Sequence, residues 1–325
     1  MRILITGGAG FIGSHVADAY LAAGHAVGVV DDLSTGRKEN LDPRVQFWQV
    51  DIRSPELARI LRSFQPDVIN HHAAQMSVST SVRDPRLDAD INILGGLHLL
   101  EAAVRSGVRR VIFASTGGAI YGDQAVVPTD ETVFPRPVSP YGVAKLAVER
   151  YLYAFQAMHG LRAVVLRYAN VYGARQNPHG EAGVVAIFCQ GILEGRELTV
   201  TGDGAQTRDY VCVEDVVRAN QLATEAAFDQ EVPILNIGTG TETSVNDLLA
   251  LLRQIAGTSV CWRHGPPRPG EQRRSALECS LAKRLLKWQA TTALRAGLVQ
   301  TFHWFQGPVV RRSQERGNLT GGGML

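Results

Sequence analysis

The stretch RILITGGAGFIG, residues 2–13, decides the fold of this chain. Its apolar start predicts a short buried strand, and apolar positions recur at helical spacing after the glycines. Gly7 permits a tight turn, Gly10 lets the backbone approach a pyrophosphate, and Gly13 lets the helix lie close to the strand. The stretch therefore predicts a strand, a glycine turn and a helix whose N-terminus binds a dinucleotide.

A second apolar strand follows at residues 26–30 and ends in Asp31 and Asp32. An acid at this distance from the glycine turn is placed to bind a ribose 2′-hydroxyl, and its charge repels a 2′-phosphate. Arg37 and Lys38 lie just downstream and could instead reach a phosphate, although a solvated loop is their ordinary environment. The acid favours NAD over NADP.

Strands and helices alternate through the first half of the chain. Further strands are predicted at 45–50, 67–70 and 110–114, with helices near 55–64 and 88–106. This pattern predicts an α/β fold, a Rossmann-type doubly wound parallel sheet with a smaller C-terminal α/β substrate domain. Ligands bind beyond the carboxyl ends of such strands, so the residues that follow each strand are candidate site residues.

The stretch SPYGVAK, residues 139–145, carries the candidate chemistry. Ser139 suits an N-cap and Pro140 the first helical position, so Tyr141 and Lys145 lie on one helix face. The helix dipole and the Lys ammonium both favour a phenolate, which predicts a lowered Tyr141 pKa and a general base. This spacing is common by chance, and an ordinary surface helix is the competing interpretation, so its weight depends on the cofactor site.

The glycine turn, the acid and the Tyr-Lys spacing together resemble the short-chain dehydrogenase/reductase superfamily, over roughly residues 1–305. The length and later motifs are most similar to its extended, NAD-dependent nucleotide-sugar branch, and there to UDP-glucose 4-epimerases. The resemblance implies that Tyr141 takes the proton of the sugar 4-hydroxyl while the C4 hydride passes to NAD. The 4-keto sugar then turns over and takes the hydride back on its other face.

The third catalytic position departs from this resemblance. The family usually has a Ser or Thr hydroxyl there, but the matching residue is Gly117, so we expect Thr116 to supply the hydroxyl. The loop carries no acid or base after Thr116, which disfavours sugar-nucleotide 4,6-dehydratases and UDP-glucuronate decarboxylases. UDP-glucuronate 4-epimerase, another nucleotide-sugar-modifying enzyme of this branch and, remotely, a non-catalytic NAD sensor remain alternatives. Ser275 stands where a bulky Tyr can exclude N-acetyl groups, so N-acetylated UDP-hexoses are further candidate substrates.

The resemblance also assigns binding residues. The expected cofactor contacts are Gly7, Gly10, Phe11, Ile12, Gly13, Asp31, Asp32, Asp51, Ile52, Ala73, Ala74, Gln75, Asn92, Ser115, Tyr141, Lys145 and Tyr168. The expected substrate contacts are Gln75, Thr116, Gly117, Tyr141, Asn170, Gly183, Val184, Val185, Thr199, Val200, Arg208, Arg268 and Glu271, with Glu181 near the sugar. Arg208 and Arg268 suit a diphosphate and Glu271 a ribose, although any single Arg here also fits a surface ion pair.

The expected domains are an NAD-binding Rossmann domain at 1–168 and a mainly nucleotide-sugar-binding domain at 169–305. Segments near 206–220 and 232–240 are expected to pack back on the first domain. Residues 169–178 are rich in turn formers and predict a loop. Residues 307–325 are poor core material and predict a disordered tail.

Composition limits the function classes. The chain has 325 residues, 45% of them hydrophobic, and a net charge of +2, so neither nucleic acid nor membrane is an expected partner. Four scattered cysteines and two adjacent histidines, His71 and His72, show no metal-ligand spacing, and no metal is expected. We expect a cytoplasmic enzyme. The apolar helices at 91–100 and 145–152 favour a homodimer, with a merely well-buried helix as the alternative.

Overall fold

The computed structural model describes residues 1–123, 126–179, 183–228, 232–267 and 272–320, with side chains as far as residue 307. Seven strands form the central sheet: β1 (Arg2–Thr6), β2 (Ala26–Asp31), β3 (Gln46–Gln49), β4 (Val68–His71), β5 (Arg110–Thr116), β6 (Arg162–Tyr168) and β11 (Ile234–Ile237). The longer helices of this part are α1 (Phe11–Ala22), α2 (Glu56–Phe64), α5 (Gly95–Arg105), α7 (Pro140–His159) and α9 (Val213–Glu225). Short helices α3 (Val78–Arg83), α4 (Pro85–Ala89) and α6 (Gly117–Ile120) lie among them, with a 3₁₀ turn at Lys38–Asn40.

The strand order of the sheet is β11-β6-β5-β4-β1-β2-β3, and each neighbouring pair is parallel. The strand order reverses between β1 and β4, and Thr6, the last residue of β1, pairs with His71 of β4. Ligands of doubly wound sheets bind at such a switch point, beyond the carboxyl ends of the strands. The predicted Rossmann-type fold is confirmed.

Alternation along β1 builds a core on each face of the sheet. Ile3 and Ile5 point to one face, where α1, α9 and Trp288 pack, while Leu4 points to the other, where α2, α5 and α7 pack. The indole Nε1 of Trp288 donates to the carbonyl of Asp215 at 2.8 Å. Both faces of the sheet are therefore covered, as a parallel sheet requires.

A second, smaller core lies in the C-terminal half. It is formed by α8 (Val184–Leu193), α10 (Val245–Ala256), α12 (Leu294–Thr320) and the parallel pair β8 (Leu198–Thr201) and β13 (Trp262–Gly265). The two-stranded pairs are β7 (Asn170–Tyr172) with β10 (Tyr210–Cys212), and β9 (Thr207–Arg208) with β12 (Thr243–Ser244). The helix α11 (Ser280–Leu286) packs against the central sheet through its edge strand β11.

The structure revises two details. The expected loop at 169–178 begins as strand β7, because Asn170 receives a partner strand from residues 210–212. In the later part of the chain, α9 packs against α1 and β11 joins the central sheet. The backbone of 307–320 is helical where disorder was expected, because it extends a helix already anchored in the second core and needs only propagation.

Across the part of the chain that the structure describes, no helix has the length and apolar character needed to cross a membrane.

Candidate active site

The glycine turn forms an anion-binding cradle at the start of α1. Gly10 is the N-cap of α1, no side chain caps this helix end, and its first turn carries no acid. A Cβ at Gly13 would lie 2.3 Å from the carbonyl oxygen of Gly7, and a Cβ at Gly7 only 2.5 Å from the amide of Ala73. Only glycine allows these approaches, and the free N–H groups of α1 suit the pyrophosphate of NAD.

Asp31 stands at the carboxyl end of β2 beside this cradle. Its carboxylate accepts from the backbone amides of Ala9 and Leu33, both at 2.9 Å. Burial raises the Asp31 pKa, while these two amides oppose the rise. Lys38 lies over the Phe47 ring at 5.6 Å, and exposed Asp32 accepts from Ser34. The cradle therefore pairs a helix N-terminus with a carboxylate, which suits NAD better than NADP.

The predicted helix carrying Tyr141 and Lys145 is α7, and it begins as the sequence indicates. Ser139 accepts from the amide of Gly142 at 3.2 Å, with Pro140 in the first turn. The Lys145 ammonium is buried, donates to the Ala114 carbonyl at 3.0 Å and lies 5.9 Å from the Tyr141 ring centre. The pair therefore lies on one helix face, against the carboxyl end of β5.

The expectation of a lowered Tyr141 pKa is wrong for the chain alone. Burial raises the Tyr141 pKa, and the charge of Asp88 raises it further. Burial also lowers the Lys145 pKa to about 8, against the opposing charges of Asp88 and Glu149. Desolvation of both groups is a larger effect here than the helix dipole and the Lys145 charge, from which the lowered pKa was expected.

Thr116 and Gly117 lie at the turn from β5 into α6. A Cβ at Gly117 would lie 2.4 Å from the Leu277 side chain, so position 117 faces a wall and not an open cleft. A Cβ at Gly118 would instead lie 3.7 Å from the Asn170 side-chain oxygen and 3.9 Å from the Thr116 hydroxyl. The structure thus brings together Thr116, Gly118 and Asn170.

The Asn92 side chain forms two hydrogen bonds with the Gln75 backbone. A π-helical turn, Asp90–Leu94, carries Asn92, whose amide oxygen accepts from the Gln75 N–H at 2.9 Å and whose nitrogen donates to the Gln75 carbonyl at 2.9 Å. Both side-chain amides also donate to Asp88. Asn92 therefore braces the loop after β4, and Asp88 is a buried site residue that the sequence argument used only to mark a helix start.

Several expected cofactor residues have their polar atoms engaged within the protein. Ser115 donates to Glu149 at 2.6 Å, and Asp51 forms an ion pair with Arg53 at 2.6 Å. The Tyr168 hydroxyl bonds to the amide of Asn220. For Ser115 and Tyr168 the partners lie on other elements and are invisible in a local sequence pattern, whereas Asp51 pairs with Arg53 two residues along the chain. Ile52 is buried, whereas Phe11, Ile12, Ala73 and Ala74 are half-buried.

The expected substrate-binding residues of the second lobe differ in how much of each is exposed. Gly183 has φ +77° and precedes α8, where half-buried Val184 leads and Val185 is buried. Thr199 is exposed and Val200 is buried on β8, so only backbone is available at Val200. Arg208 is half-buried on β9 and donates to the Thr207 carbonyl at 2.8 Å. The expected residues Glu181, Arg268 and Glu271 lie outside the described residues.

The adjacent histidines point apart. The Nδ1 of His71 bonds to the Thr6 hydroxyl at 2.7 Å, whereas His72 stacks on Tyr168 with ring centres 6.3 Å apart. Burial lowers the pKa of each to about 3. Among the described residues, no group of three or more His, Cys, Asp or Glu side chains could hold a metal ion.

Comparison with known proteins identifies the family of the chain. UDP-glucose 4-epimerase of Mycolicibacterium smegmatis is 44% identical over 311 residues, covering 94% of this chain and 99% of the relative. The structure of UDP-glucose 4-epimerase from Thermotoga maritima with UDP-glucose matches with a TM-score of 0.92 at 49% identity, covering 95% of this chain and 100% of that one. The UDP-glucose 4-epimerase of Thermus thermophilus in complex with NAD matches with a TM-score of 0.89 at 45% identity, covering 94% and 99%. The model of the NAD dependent epimerase/dehydratase family matches residues 3–238, and the chain belongs to this family.

Proposed function

We propose that this chain is an NAD-dependent isomerase that inverts C4 of a UDP-hexose, interconverting UDP-glucose and UDP-galactose. The observation that carries the proposal is the placement of Tyr141, Lys145 and Thr116 at the same sheet edge as the glycine cradle. Relatives and solved structures named UDP-glucose 4-epimerase, at 44–49% identity over nearly the whole chain, support the choice of substrate.

Each residue has a separate task. Tyr141 takes the proton of the 4-hydroxyl and returns it to the 4-keto oxygen, and Thr116 hydrogen-bonds that oxygen. Lys145 supplies a positive charge beside the Tyr ring. When bound, NAD supplies a hydride acceptor and the positive charge of its nicotinamide ring. Because burial keeps Tyr141 protonated in the chain alone, nearby positive charge is what allows it to act as a base.

The test is turnover without added cofactor. Purified protein is incubated with UDP-glucose, UDP-galactose, their N-acetylated counterparts and UDP-glucuronate, and the products are resolved by chromatography. We expect interconversion of the first pair, loss of at least a hundredfold in Tyr141→Phe, and little change in Tyr151→Phe, an exposed tyrosine of the same helix. Turnover of UDP-glucuronate alone would transfer the proposal to that substrate. Bound NAD without any turnover would support a sensor.

N-acetylated UDP-hexoses are included because of Ser275. This half-buried residue has a short side chain at the position where the family resemblance expects a bulky one. We propose that the enzyme also accepts UDP-N-acetylglucosamine. Rapid turnover of UDP-glucose with none of the N-acetylated sugar would overturn this part alone.

We propose further that two copies associate through α5 and α7. Leu94, which leads into α5, is 56% exposed, and on α7 Val143 and Tyr151 are 51% and 39% exposed. Apolar side chains of this size are unusual on a free surface when they cluster on packed helices. Leu94→Glu should shift the protein from dimer to monomer in light scattering, while Thr258→Glu, in an exposed turn of the second lobe, should not. A monomeric wild type would refute the proposal.

We place the protein in the cytoplasm, because its four cysteines are all unpaired, as in a reducing compartment.

A further inference from the structure

Asp88 is a buried acid directly against the catalytic helix. It lies on α4, which packs against α7, and only 1% of its surface is exposed. Isolated carboxylates are rarely buried this deeply, because removing the charge from water is costly unless a cation or hydrogen bonds compensate. The position therefore needs a physical reason.

Hydrogen bonds compensate the burial of only one of the two Asp88 carboxylate oxygens. Oδ1 accepts from Gln75 at 2.7 Å and from Asn92 at 3.0 Å. Oδ2 is buried and has no hydrogen-bond partner among the described residues. An asparagine would accept the same two bonds through one oxygen, so the hydrogen bonds alone do not require a charge here.

The carboxylate charge acts on Lys145 through space and raises the Lys145 pKa. Burial raises the Asp88 pKa, and the Lys145 charge opposes that rise. The charges that act on Tyr141 and Lys145 are those of Asp88 and Glu149, and Lys145 in turn acts on His71 of β4. The other elements packed against α4 carry Arg83, on α3, and Asp90, on the π-helical turn, which pairs with Arg53. Glu149 is already neutralised, since Arg167 binds both its oxygens at 3.0 and 2.6 Å. His71 is neutral at its lowered pKa. Asp88 is therefore the unneutralised anion on the Tyr141–Lys145 pair.

We propose that Asp88 is a positioning residue of the reaction, which fixes the Gln75 and Asn92 amides through Oδ1 and sets the charge balance of Tyr141 and Lys145. The proposal rests on the 4-epimerase function proposed above. Among the described residues, Oδ1 accepts hydrogen bonds from the Gln75 and Asn92 amides. Its effect on the chemistry is transmitted through the catalytic pair.

Removing the Asp88 charge should shift the pKa of both catalytic groups in the same direction. Asp88 raises the pKa of both Tyr141 and Lys145, so Asp88→Asn lowers both. The pair titrates as a coupled unit, and both limbs of the pH profile of kcat/KM should therefore move to lower pH. A purely structural role would lower activity at every pH without moving the limbs. We also expect kcat to fall about tenfold or more with KM changed by less than about twofold, because misplacement of catalytic groups acts mainly on the chemical step.

Three variants and one spectroscopic measurement complete the test. Asp84→Asn is the matched control, the same change one turn earlier on an exposed N-cap, where Asn also caps well, and it should keep the wild-type profile. Asp88→Glu keeps the charge and should keep the position of both limbs even if kcat falls. Tyrosinate absorbance, taken as the difference between each background and its Tyr141→Phe partner, should show the Tyr141 titration at lower pH in Asp88→Asn. This readout does not depend on turnover.

The outcomes separate the two proposals. Wild-type protein without turnover on any UDP-sugar defeats the proposed function. Wild-type turnover combined with an unshifted Asp88→Asn profile and an unshifted tyrosinate titration defeats the role of Asp88 alone. If Asp88→Asn does not fold, Asp88→Ser, which also removes the charge, takes its place: limbs displaced to lower pH would support the proposal, and limbs that stay in place would overturn it.

Discussion

Leu277 should decide what a side chain at position 117 can do. Gly117→Ala adds one Cβ, which would lie 2.4 and 2.6 Å from the two methyl carbons of Leu277 and 3.0 Å from its Cγ. Leu277 is 1% exposed, and its amide is bonded to Asp209 at 3.2 Å, so it has little room to retreat. Overpacking of this kind costs about 1–3 kcal/mol, against about 1 kcal/mol gained from the higher helix propensity of Ala.

A double-mutant cycle separates these two effects. Leu277→Ala alone should destabilise the protein by about 2–5 kcal/mol, because it opens a cavity. In that background Gly117→Ala meets no wall and keeps only its helix gain, so the coupling energy should be about 1–3 kcal/mol and favourable. The assay is urea unfolding of the NAD-saturated protein, followed by tryptophan fluorescence.

Gly118→Ala is the control, because its added Cβ makes only ordinary contacts at 3.7 and 3.9 Å. It lies in the same helix and should therefore show only the helix gain, raising stability by up to about 1 kcal/mol. A coupling energy below about 0.5 kcal/mol between positions 117 and 277 would refute the reasoning, since independent sites add to within that margin.

Further predictions concern the hydroxyl, the histidines and the cofactor. Thr116→Val should lower epimerase kcat by about a hundredfold. Adding Gly117→Ser should not restore kcat, because the new serine side chain would meet Leu277. Full activity of Thr116→Val in the chromatographic assay would exclude Thr116 as the third catalytic residue. His71 has a pKa of about 3 when folded and about 6.5 when unfolded, so the unfolded state binds more protons in this window and stability falls as pH falls below about 6.5. The loss should reach about 2 kcal/mol at pH 5 in urea unfolding, and His71→Gln should reduce it; an unchanged slope would contradict this assignment. Asp31→Asn replaces one of the two acceptor oxygens with an NH₂ donor that faces a backbone amide. Calorimetry should therefore show NAD affinity reduced about tenfold or more, with a smaller preference for NAD over NADP. Equal NAD affinity in the variant and the wild type would remove Asp31 from the cofactor site.

The parts of the site that are predictable from sequence are those whose determinants are local. The glycines and α1 adjoin one another in the chain, and Ser139, Pro140, Tyr141 and Lys145 fall within two helical turns. Their geometry follows from backbone rules that act over a few residues. The fold follows for the same reason, because each strand and helix of the first half carries its own apolar period.

The parts that escape prediction depend on residues distant in sequence. The direction of position 117 depends on Leu277, and the hydroxyl of Ser115 turns to Glu149, which Arg167 also binds. Glu149 lies two helical turns beyond Tyr141, and Arg167 lies on another strand. A spacing rule can place such residues on a face, but it cannot say which polar atom another element will claim.

The pKa of Tyr141 shows why placement and reactivity are different questions. The Tyr-Lys spacing correctly puts a cation beside the phenol, yet burial acts on both groups and makes the phenolate and the ammonium harder to form together. Asp88 then favours the Lys145 ammonium and disfavours the Tyr141 phenolate. Both groups therefore keep their protons until a further positive charge lies beside them. With that added charge, Tyr141 can take a proton from the hydroxyl and return the same proton to the keto oxygen. A 4-epimerase needs both directions in each turnover, whereas a permanently ionised tyrosine would serve only one of them.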